Sequence, residues 1–202
     1  MNTFQLIMLL ATAFFAYRVY THVQTLVDSE SGQKRDDDIR TPDSFNAEAL
    51  FRQAEEAYEN GDLKQSERLF RELSSKDPSN TDALNRYAFV LAKNGDIESA
   101  ISGYRTSLKV DPDNDIVHNA LAQLLQEKKR YYEAQEHIKA ALDIDDGYEV
   151  TYFNYGNLLI DMNDKEGAAI MFKKALEIKP DYKQAQEALQ NLLSDSAPKE
   201  EQ

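Results

Sequence analysis

A spacing of 34 residues constrains the fold of this chain more than any other feature of its sequence. Residues 59–80 read ENGDLKQSERLFRELSSKDPSN and residues 93–114 read KNGDIESAISGYRTSLKVDPDN, so Asn-Gly and Asp-Pro recur at the same places. Aligning the Asn-Gly pairs divides residues 47–182 into four blocks without an insertion: 47–80, 81–114, 115–148 and 149–182. A period of this length indicates stacked copies of one small structural unit.

Within each block, the apolar residues follow the spacing of two helices with a break between them. Small residues occupy the eighth and twentieth places, and a bulky residue occupies the twenty-fourth. Two helices approach closely only where one lacks a large side chain, and a large side chain one turn further on fills the space beside the contact. The residues concerned are Ala54, Ala88, Ala122 and Gly156, then Ser66, Ala100, Ala134 and Ala168, then Phe70, Tyr104, Ile138 and Phe172. This pattern predicts an all-α fold of helix–turn–helix units.

The Asn-Gly and Asp-Pro pairs mark the ends of the predicted helices. Gly61 and Gly95 suit the left-handed residue that terminates a helix, because glycine has no Cβ to clash there. Three of the blocks end at a proline, which cannot donate the next backbone hydrogen bond: Pro78, Pro112 and Pro180.

The third and fourth blocks depart from this pattern. Lys129 replaces the turn glycine of the third block, at a cost of about 1 kcal/mol if the left-handed geometry is kept. Asp146 replaces the closing proline of the same block. In the fourth block the turn residue is Asn163, and asparagine tolerates that conformation. The turn of the third block is therefore the least typical of the four.

Together these residues resemble the tetratricopeptide repeat family, whose members stack antiparallel helix pairs. The resemblance covers about 136 of the 202 residues. It implies a right-handed superhelical solenoid of four repeats that is closed by a solvating helix, and KQAQEALQNLLSD at 183–195 fits that helix. Ala185, Leu189 and Leu192 would face the stack. The polar tail at 196–202 is predicted to be disordered.

The resemblance also implies where a partner would bind. In this family the second, fifth, ninth and twelfth places of each repeat face a concave groove formed mainly by the first helices. In this chain those places hold Glu48, Phe51, Glu55 and Tyr58, then Asp82, Asn85, Phe89 and Ala92, then Ile116, Asn119, Gln123 and Gln126, then Val150, Phe153, Asn157 and Ile160.

Aromatic anchors among amide side chains suit an extended segment or an apolar helix as the bound partner. Eight of the groove residues are predicted to contact it: Phe51, Glu55, Asn85, Phe89, Asn119, Gln123, Phe153 and Asn157. The alternative is that the phenylalanines pack between adjacent first helices.

One group within this family grips the carboxylate tails of chaperones with lysine, arginine and asparagine side chains. This chain has Phe51 and Glu55 in the first repeat, and Ile116 and Ala120 in the third, where key members of that set would stand. An acidic groove mouth would also repel such a tail. We therefore expect no binding of chaperone tails.

Residues 1–27 differ from the rest of the chain and are predicted to form a membrane anchor. Residues 4–17 carry no charge, and residues 3–20 give a helix of about 18 residues, near the minimum of roughly 17–20 that crosses a hydrocarbon core. Basic residues follow this segment but do not precede it, which favours a cytoplasmic C-terminal part. Two alternatives are a signal peptide cleaved after the small residues at 11–13 and an amphipathic helix that lies on the membrane or caps the fold.

The remaining composition excludes several classes of function. Residues 28–46 are polar and charged and are predicted to be a flexible tether, and the net charge of −13 argues against binding nucleic acid. The chain has no cysteine, and His22, His118 and His137 do not have the spacing of paired ligands on one helix. DPDND at 111–115 lacks the glycine and glutamate of a calcium loop. No metal, cofactor or catalytic site is predicted.

The sequence thus predicts a non-catalytic, single-pass membrane scaffold that binds a protein or peptide in its groove and holds it near the membrane. The repeats are predicted to face the cytoplasm, with the periplasmic side as an alternative. Two other functions stay open. One is an exported protein that assists envelope or cytochrome assembly, and the other is a self-assembling structural protein, whose end-to-end joining the helix at 183–195 would hinder.

Overall fold

The computed structural model of the chain describes residues 45–195, and every helix or strand assigned within that range is an α-helix. We number the helices in chain order as α1 (Ala47–Glu59), α2 (Leu63–Lys76), α3 (Thr81–Lys93), α4 (Ile97–Val110), α5 (Asp115–Glu127), α6 (Tyr131–Ile144), α7 (Glu149–Asp161), α8 (Lys165–Ile178) and α9 (Lys183–Asp195). The predicted all-α fold is confirmed over this range. The predicted anchor at 1–27, nearly all of the predicted tether at 28–46 and the tail at 196–202 lie outside the described residues.

Each 34-residue block contains one helix pair, and we refer to the four pairs as repeats 1 to 4. Within a repeat, the first helix packs against the second, and the second also packs against the first helix of the next repeat. The helix α9 packs against α8 at the end of the stack, and α5 additionally contacts α7. Contacts therefore run mainly between neighbours along the chain, which is the arrangement of a solenoid.

The small and bulky residues of the repeat pattern lie where the helices come closest. Ala100 and Ala134 are fully buried, and so are the bulky Phe70 and Phe172. Gly156 lies so close to Phe172 that an added Cβ would be 2.4 Å from the ring carbon Cε1. The large ring thus fills the space that the small residue leaves, as the sequence predicts.

The turn inside each repeat contains one residue in the left-handed conformation. These residues are Gly61, Gly95, Lys129 and Asn163, with φ angles of 79°, 85°, 59° and 64°. In each turn, the amide of the following residue donates to a carbonyl five residues earlier, as Asp62 does to Ala57 at 2.9 Å and Arg130 does to Leu125 at 2.8 Å. This bond satisfies a carbonyl at the end of the first helix. The left-handed geometry is therefore kept at Lys129 although the residue is not glycine.

Side-chain caps explain why aspartate and asparagine recur at the starts of the helices. The carboxylate of Asp62 accepts a hydrogen bond from the amide of Gln65 at 2.9 Å, and the side chain of Asn80 accepts one from the amide of Ala83 at 3.0 Å. Asp96, Asn114 and Asp164 cap α4, α5 and α8 in the same way. Arg130 and Tyr148, which precede α6 and α7, provide no side-chain cap. These two helix starts lie at the two ends of α6, the second helix of repeat 3.

The final helix covers the end of the stack. Ala185 and Leu192 of α9 are buried, and Leu189 packs against the cluster that includes Leu159 and Phe172. The opposite face of α9 is exposed through Gln184, Glu187 and Gln190. In the range 45–195, no helix has both the length and the apolar character needed to span a membrane.

Candidate functional site

The first helices of the four repeats lie side by side and are joined by contacts between their side chains. Tyr58 of α1 packs against Phe89 of α3 with ring centroids 5.5 Å apart. Further along, Gln126 of α5 donates from Nε2 to Oδ2 of Asp161 of α7 at 2.7 Å. We call the solvent-facing side of α1, α3, α5 and α7 the first-helix surface.

The half of this surface that belongs to repeats 3 and 4 is uncharged at the second, fifth, ninth and twelfth places. Ile116 is 68% exposed and Ile160 is 38% exposed, although both are aliphatic. Gln123, which lies between the two isoleucines in the sequence, is exposed. Val150 and Asn157 are half-buried. Isolated exposed apolar residues are common, but two isoleucines at places that carry no charge mark a surface that loses little on desolvation. The carboxylate of Asp161, which accepts from Gln126, is a charge beside these places.

The half that belongs to repeats 1 and 2 carries charges of both signs. Oε1 of Glu55 lies 3.1 Å from Nε of Arg86, which joins α1 to α3. Glu48 and Asp82 are exposed. Lys93 places its ammonium 5.2 Å from the centroid of the Phe89 ring, a distance at which the cation is attracted to the ring face. This half is therefore more hydrophilic than the other.

The three phenylalanines of the predicted site are half-buried, and each contacts another ring. Phe51 packs edge-on against Phe70 at 5.4 Å, and Phe153 lies 5.8 Å from Phe172. Phe153 also contacts Tyr182 at 5.3 Å, and burial raises the pKa of that tyrosine, so its hydroxyl stays neutral. These rings contribute to packing between helices while part of each remains open to solvent.

The asparagines of the predicted site differ in their surroundings. Asn119 is only 6% exposed, and its Nδ2 donates to Oγ1 of Thr151 at 2.7 Å, which joins α5 to α7. Its Oδ1, like Oδ1 of Asn85, is buried without a hydrogen-bond partner among the described residues. Asn157 is half-buried. In this structure Asn119 thus serves the contact between first helices, and Gln123 is the most accessible amide of the eight predicted residues.

Sequence reasoning named Ile116 and Ile160 as groove positions but did not include them among the eight contact residues. The signal was present, because both are aliphatic at places where the other repeats carry a polar or smaller residue. It was outweighed by the larger phenylalanines, whose ring contacts with the second helices the sequence does not show. Within residues 45–195 there is no cluster of three or more side chains suited to hold a metal ion.

Comparisons with known proteins identify the repeat. Residues 57–124 and residues 113–181 each match a family model described as tetratricopeptide repeat, and together the matches span more than half of the chain. The chain belongs to the tetratricopeptide repeat family. The resemblance read from the residues is therefore confirmed for the repeats. No curated protein matches the chain at a significant level.

Solved structures share the tetratricopeptide fold with this chain. The crystal structure of MamA protein aligns with a TM-score of 0.68 at 16% identity, over 74% of this chain and 82% of that one. PilF of Pseudomonas aeruginosa aligns with a TM-score of 0.67 at 25% identity, over 74% and 68% of the two chains. YrrB, a protein described as having an unusual peptide-binding site, aligns with a TM-score of 0.66 at 20% identity, over 73% and 76%.

Proposed function

We propose that this tetratricopeptide repeat protein is a non-catalytic scaffold whose first-helix surface binds a protein or peptide segment. The observation that carries the proposal is the exposure of Ile116 and Ile160 in repeats 3 and 4, where the second, fifth, ninth and twelfth places carry no charge. Burying an aliphatic side chain of this size contributes roughly 1.5–3 kcal/mol when it is fully removed from water. Two such anchors and the exposed amide of Gln123 would together hold a bound segment.

The composition of the surface also suggests the chemistry of the partner. Because the second, fifth, ninth and twelfth places of repeats 3 and 4 carry no charge, an apolar segment desolvates little polar surface there. The amide of Gln123 can donate to and accept from a peptide backbone. A partner with aliphatic or aromatic side chains fits this half, whereas an acidic tail would find no lysine or arginine at these places.

The neighbouring structures support peptide binding as a class of function. The description of YrrB reports a peptide-binding site in a protein of the same fold, at 20% identity to this chain. Tetratricopeptide repeats serve many ligands by varying the side chains on one scaffold. The likeness therefore supports the class of function, and the residues of this chain must supply the specificity.

The test compares cross-linking from two faces of the protein. A photo-cross-linking amino acid in place of Gln123 reports on the first-helix surface, and the same amino acid in place of Tyr132, which is 79% exposed on the second helix α6, is the control. We expect a cross-linked partner from position 123 and none from position 132. Adding Ile116→Ser and Ile160→Ser together should abolish the cross-link, because the two apolar contacts with the partner are lost. Circular dichroism checks that the double variant is still folded, since Ile160 is only 38% exposed. Equal cross-links from both positions, or a cross-link that survives the double substitution, would contradict the proposal.

We further propose that residues 3–20 anchor the protein in a membrane as a single span, that residues 28–46 tether the repeats, and that the repeats face the cytoplasm. The support is the charge-free stretch at 4–17 and the basic residues that follow it. Anchoring would raise the local concentration of a bound partner at the membrane.

Extraction of membranes tests the anchor. The full chain should stay in the pellet after washing with alkaline carbonate, and a variant lacking residues 1–27 should be released by salt. Protease added to intact cells or spheroplasts should leave the repeats undigested if they face the cytoplasm. Release of the full chain by salt, together with a mature N-terminus near residue 14, would instead indicate the exported alternative.

A further inference from the structure

Two histidines that are far apart in sequence meet between the helices of repeat 3. Nδ1 of His118 on α5 lies 2.9 Å from Nδ1 of His137 on α6, with ring centroids 5.1 Å apart and ring planes at 40°. Both rings border a cavity of about 370 Å³ that is also lined by Arg105, Leu108 and Lys109 of α4 and by Pro112. Sequence reasoning missed the pair because it tested only spacings within one helix.

The surrounding hydrogen bonds determine where the protons lie. Nε2 of His118 is 3.1 Å from the carbonyl oxygen of Pro112. A carbonyl can only accept, so Nε2 of His118 carries the hydrogen and Nδ1 of the neutral ring has a lone pair. His137 must then donate from Nδ1, which leaves its Nε2 without a hydrogen. A single proton therefore lies between two imidazole nitrogens that would otherwise both be free to bind a metal.

We propose that Nδ1 of His118 and Nδ1 of His137 form a binding site for a divalent transition metal, with Cu²⁺ as the preferred ion. Imidazole nitrogens bind such ions at about 2.0–2.1 Å, so two of them at right angles around one ion are about 2.9 Å apart. The observed separation has that length, but ring centroids 5.1 Å apart show that the two nitrogens now point at each other in a hydrogen bond, so both rings must turn for an ion to bind. A right angle is typical of the tetragonal geometry of Cu²⁺ and Ni²⁺, and Cu²⁺ is the more tightly bound of the two.

The outer contacts of the pair suit this role. Metal-binding histidines usually donate their second ring N–H to a carbonyl or carboxylate, as His118 does to Pro112. On binding, the hydrogen of His137 moves from Nδ1 to Nε2, which has no protein partner among the described residues. Water in the cavity would occupy the remaining positions around the ion.

The charges around the two histidines oppose the binding of a cation. Burial, the neighbouring His118 and the positive charge of Arg105 lower the pKa of His137 to about 4, which shows that a positive charge is disfavoured at this ring. Among the cations that line the cavity, Arg105 is paired with Glu133 at 2.7 Å. Lys109 makes no ion pair with a described residue and repels a bound cation. Arg105 and Lys109 thus both reduce the affinity for a cation, and Lys109 can be changed without breaking an ion pair with a described residue.

A bound ion would join α5 to α6 and, through Pro112, to the end of repeat 2. Repeat 3 is the repeat with a lysine in the left-handed turn and without a side-chain cap at the start of α6. Metal binding would thus stabilise the repeat whose local sequence stabilises it least. The inference does not depend on the proposed partner-binding function.

Titration of the full-length chain with Cu²⁺ in a non-coordinating buffer at pH 7.5 tests the site. We expect one ion per chain and an electron paramagnetic resonance spectrum with a tetragonal signal coupled to two imidazoles. His118→Asn and His137→Asn should each weaken binding by about tenfold or more, since loss of a ligand costs no less than loss of its outer partner. His22→Asn, the matched control, should leave binding unchanged.

Lys109→Gln provides a second measurement that keeps both ligands. It removes the unpaired cation, so Cu²⁺ should bind more tightly and should raise the melting temperature more than in the unaltered protein. Circular dichroism checks that each variant is helical. Three results would overturn the proposal: Cu²⁺ binding that is unaffected by either histidine substitution, a paramagnetic signal coupled to one imidazole only, or a Cu²⁺ affinity unchanged by Lys109→Gln.

Discussion

The left-handed residue at the turn of each repeat is the point at which a single side chain most affects the local backbone. Lys129 has a φ of 59°, and its ammonium makes no ion pair with a described residue. Lys129→Gly should stabilise the protein by about 0.5–1 kcal/mol, because glycine adopts this conformation without a Cβ clash. Urea denaturation followed by circular dichroism measures the change.

The neighbouring residue is the matched control for that substitution. Lys128 has a φ of −80° and contacts Glu98 through an ion pair at 3.4 Å. Lys128→Gly should destabilise the protein, since glycine gains nothing at a negative φ and the ion pair is lost. If both substitutions shift the urea midpoint in the same direction, the strain at Lys129 is not the cause.

Gly156 is a position at which adding a single methyl group should lower the stability of the protein strongly. An added Cβ would meet the ring of Phe172 at 2.4 Å, inside a buried cluster. Gly156→Ala should therefore destabilise the protein by about 1–3 kcal/mol through overpacking. Gly147→Ala is the control, because its nearest neighbour is an exposed carboxylate oxygen of Asp145 at 3.2 Å that can move. A control that costs as much as Gly156→Ala would contradict the explanation by overpacking, because alanine has the higher helix propensity and should otherwise stabilise α7.

At the scale of one helix, the missing cap of α7 offers a stabilising change. Asn80 and Asn114 cap α3 and α5, whereas the corresponding Tyr148 gives α7 no side-chain cap. Tyr148→Asn should raise the stability by about 0.5–1 kcal/mol, the usual contribution of such a cap. Tyr132→Asn, on the exposed side of α6, should give no gain. Thermal denaturation of the two variants is the measurement, and equal melting temperatures would contradict the prediction.

The ion pair between α7 and the end of α8 should give repeat 4 a dependence on pH. Nζ of Lys179 lies 3.0 Å from Oε1 of Glu149, and this hydrogen bond lowers the pKa of the Glu149 carboxyl. A carboxyl with a lowered pKa stabilises the fold fully above its ordinary pKa and loses that contribution as the pH falls through the lowered value. Glu149→Gln should thus destabilise the protein at pH 7 and have little effect at pH 3. Glu177→Gln, which removes an exposed charge without a described ion pair, should show no such difference between the two pH values.

Elements that depend on local chemistry could be predicted from the sequence, and contacts between elements could be predicted less well. The helix pairs and their turns follow from the period, because Asn80 and Asp96 cap their helices through bonds to residues three places on. The burial of Asn119 depends on Thr151, which is 32 residues away in the next repeat. The pairing of His118 with His137 depends in the same way on which faces of α5 and α6 meet. No periodicity along one helix contains that information.

At the scale of the whole molecule, the contacts between neighbouring helices determine how far the effect of one substitution on stability extends. Helices pack mainly against their neighbours along the stack, so the stability of a repeat depends on itself and on the repeats beside it. The largest buried cluster lies in the middle, from Ala88 to Leu158, and the ends have fewer neighbours. Amide exchange should therefore be slowest in the central helices and fastest in α1 and α9.

Two substitutions at opposite ends of the stack test this one-dimensional behaviour. Gly156→Ala in repeat 4 should speed amide exchange in α7, α8 and α9 and leave α1 and α2 nearly unchanged. Ala54→Gly, at a fully buried position of α1, should do the opposite, at a cost of roughly 1 kcal/mol in helix propensity plus the loss of one buried methyl. Hydrogen–deuterium exchange measured by mass spectrometry resolves the two ends. If each substitution speeds exchange equally in all four repeats, the stack unfolds as one cooperative unit, and the neighbour-by-neighbour account of its stability is wrong.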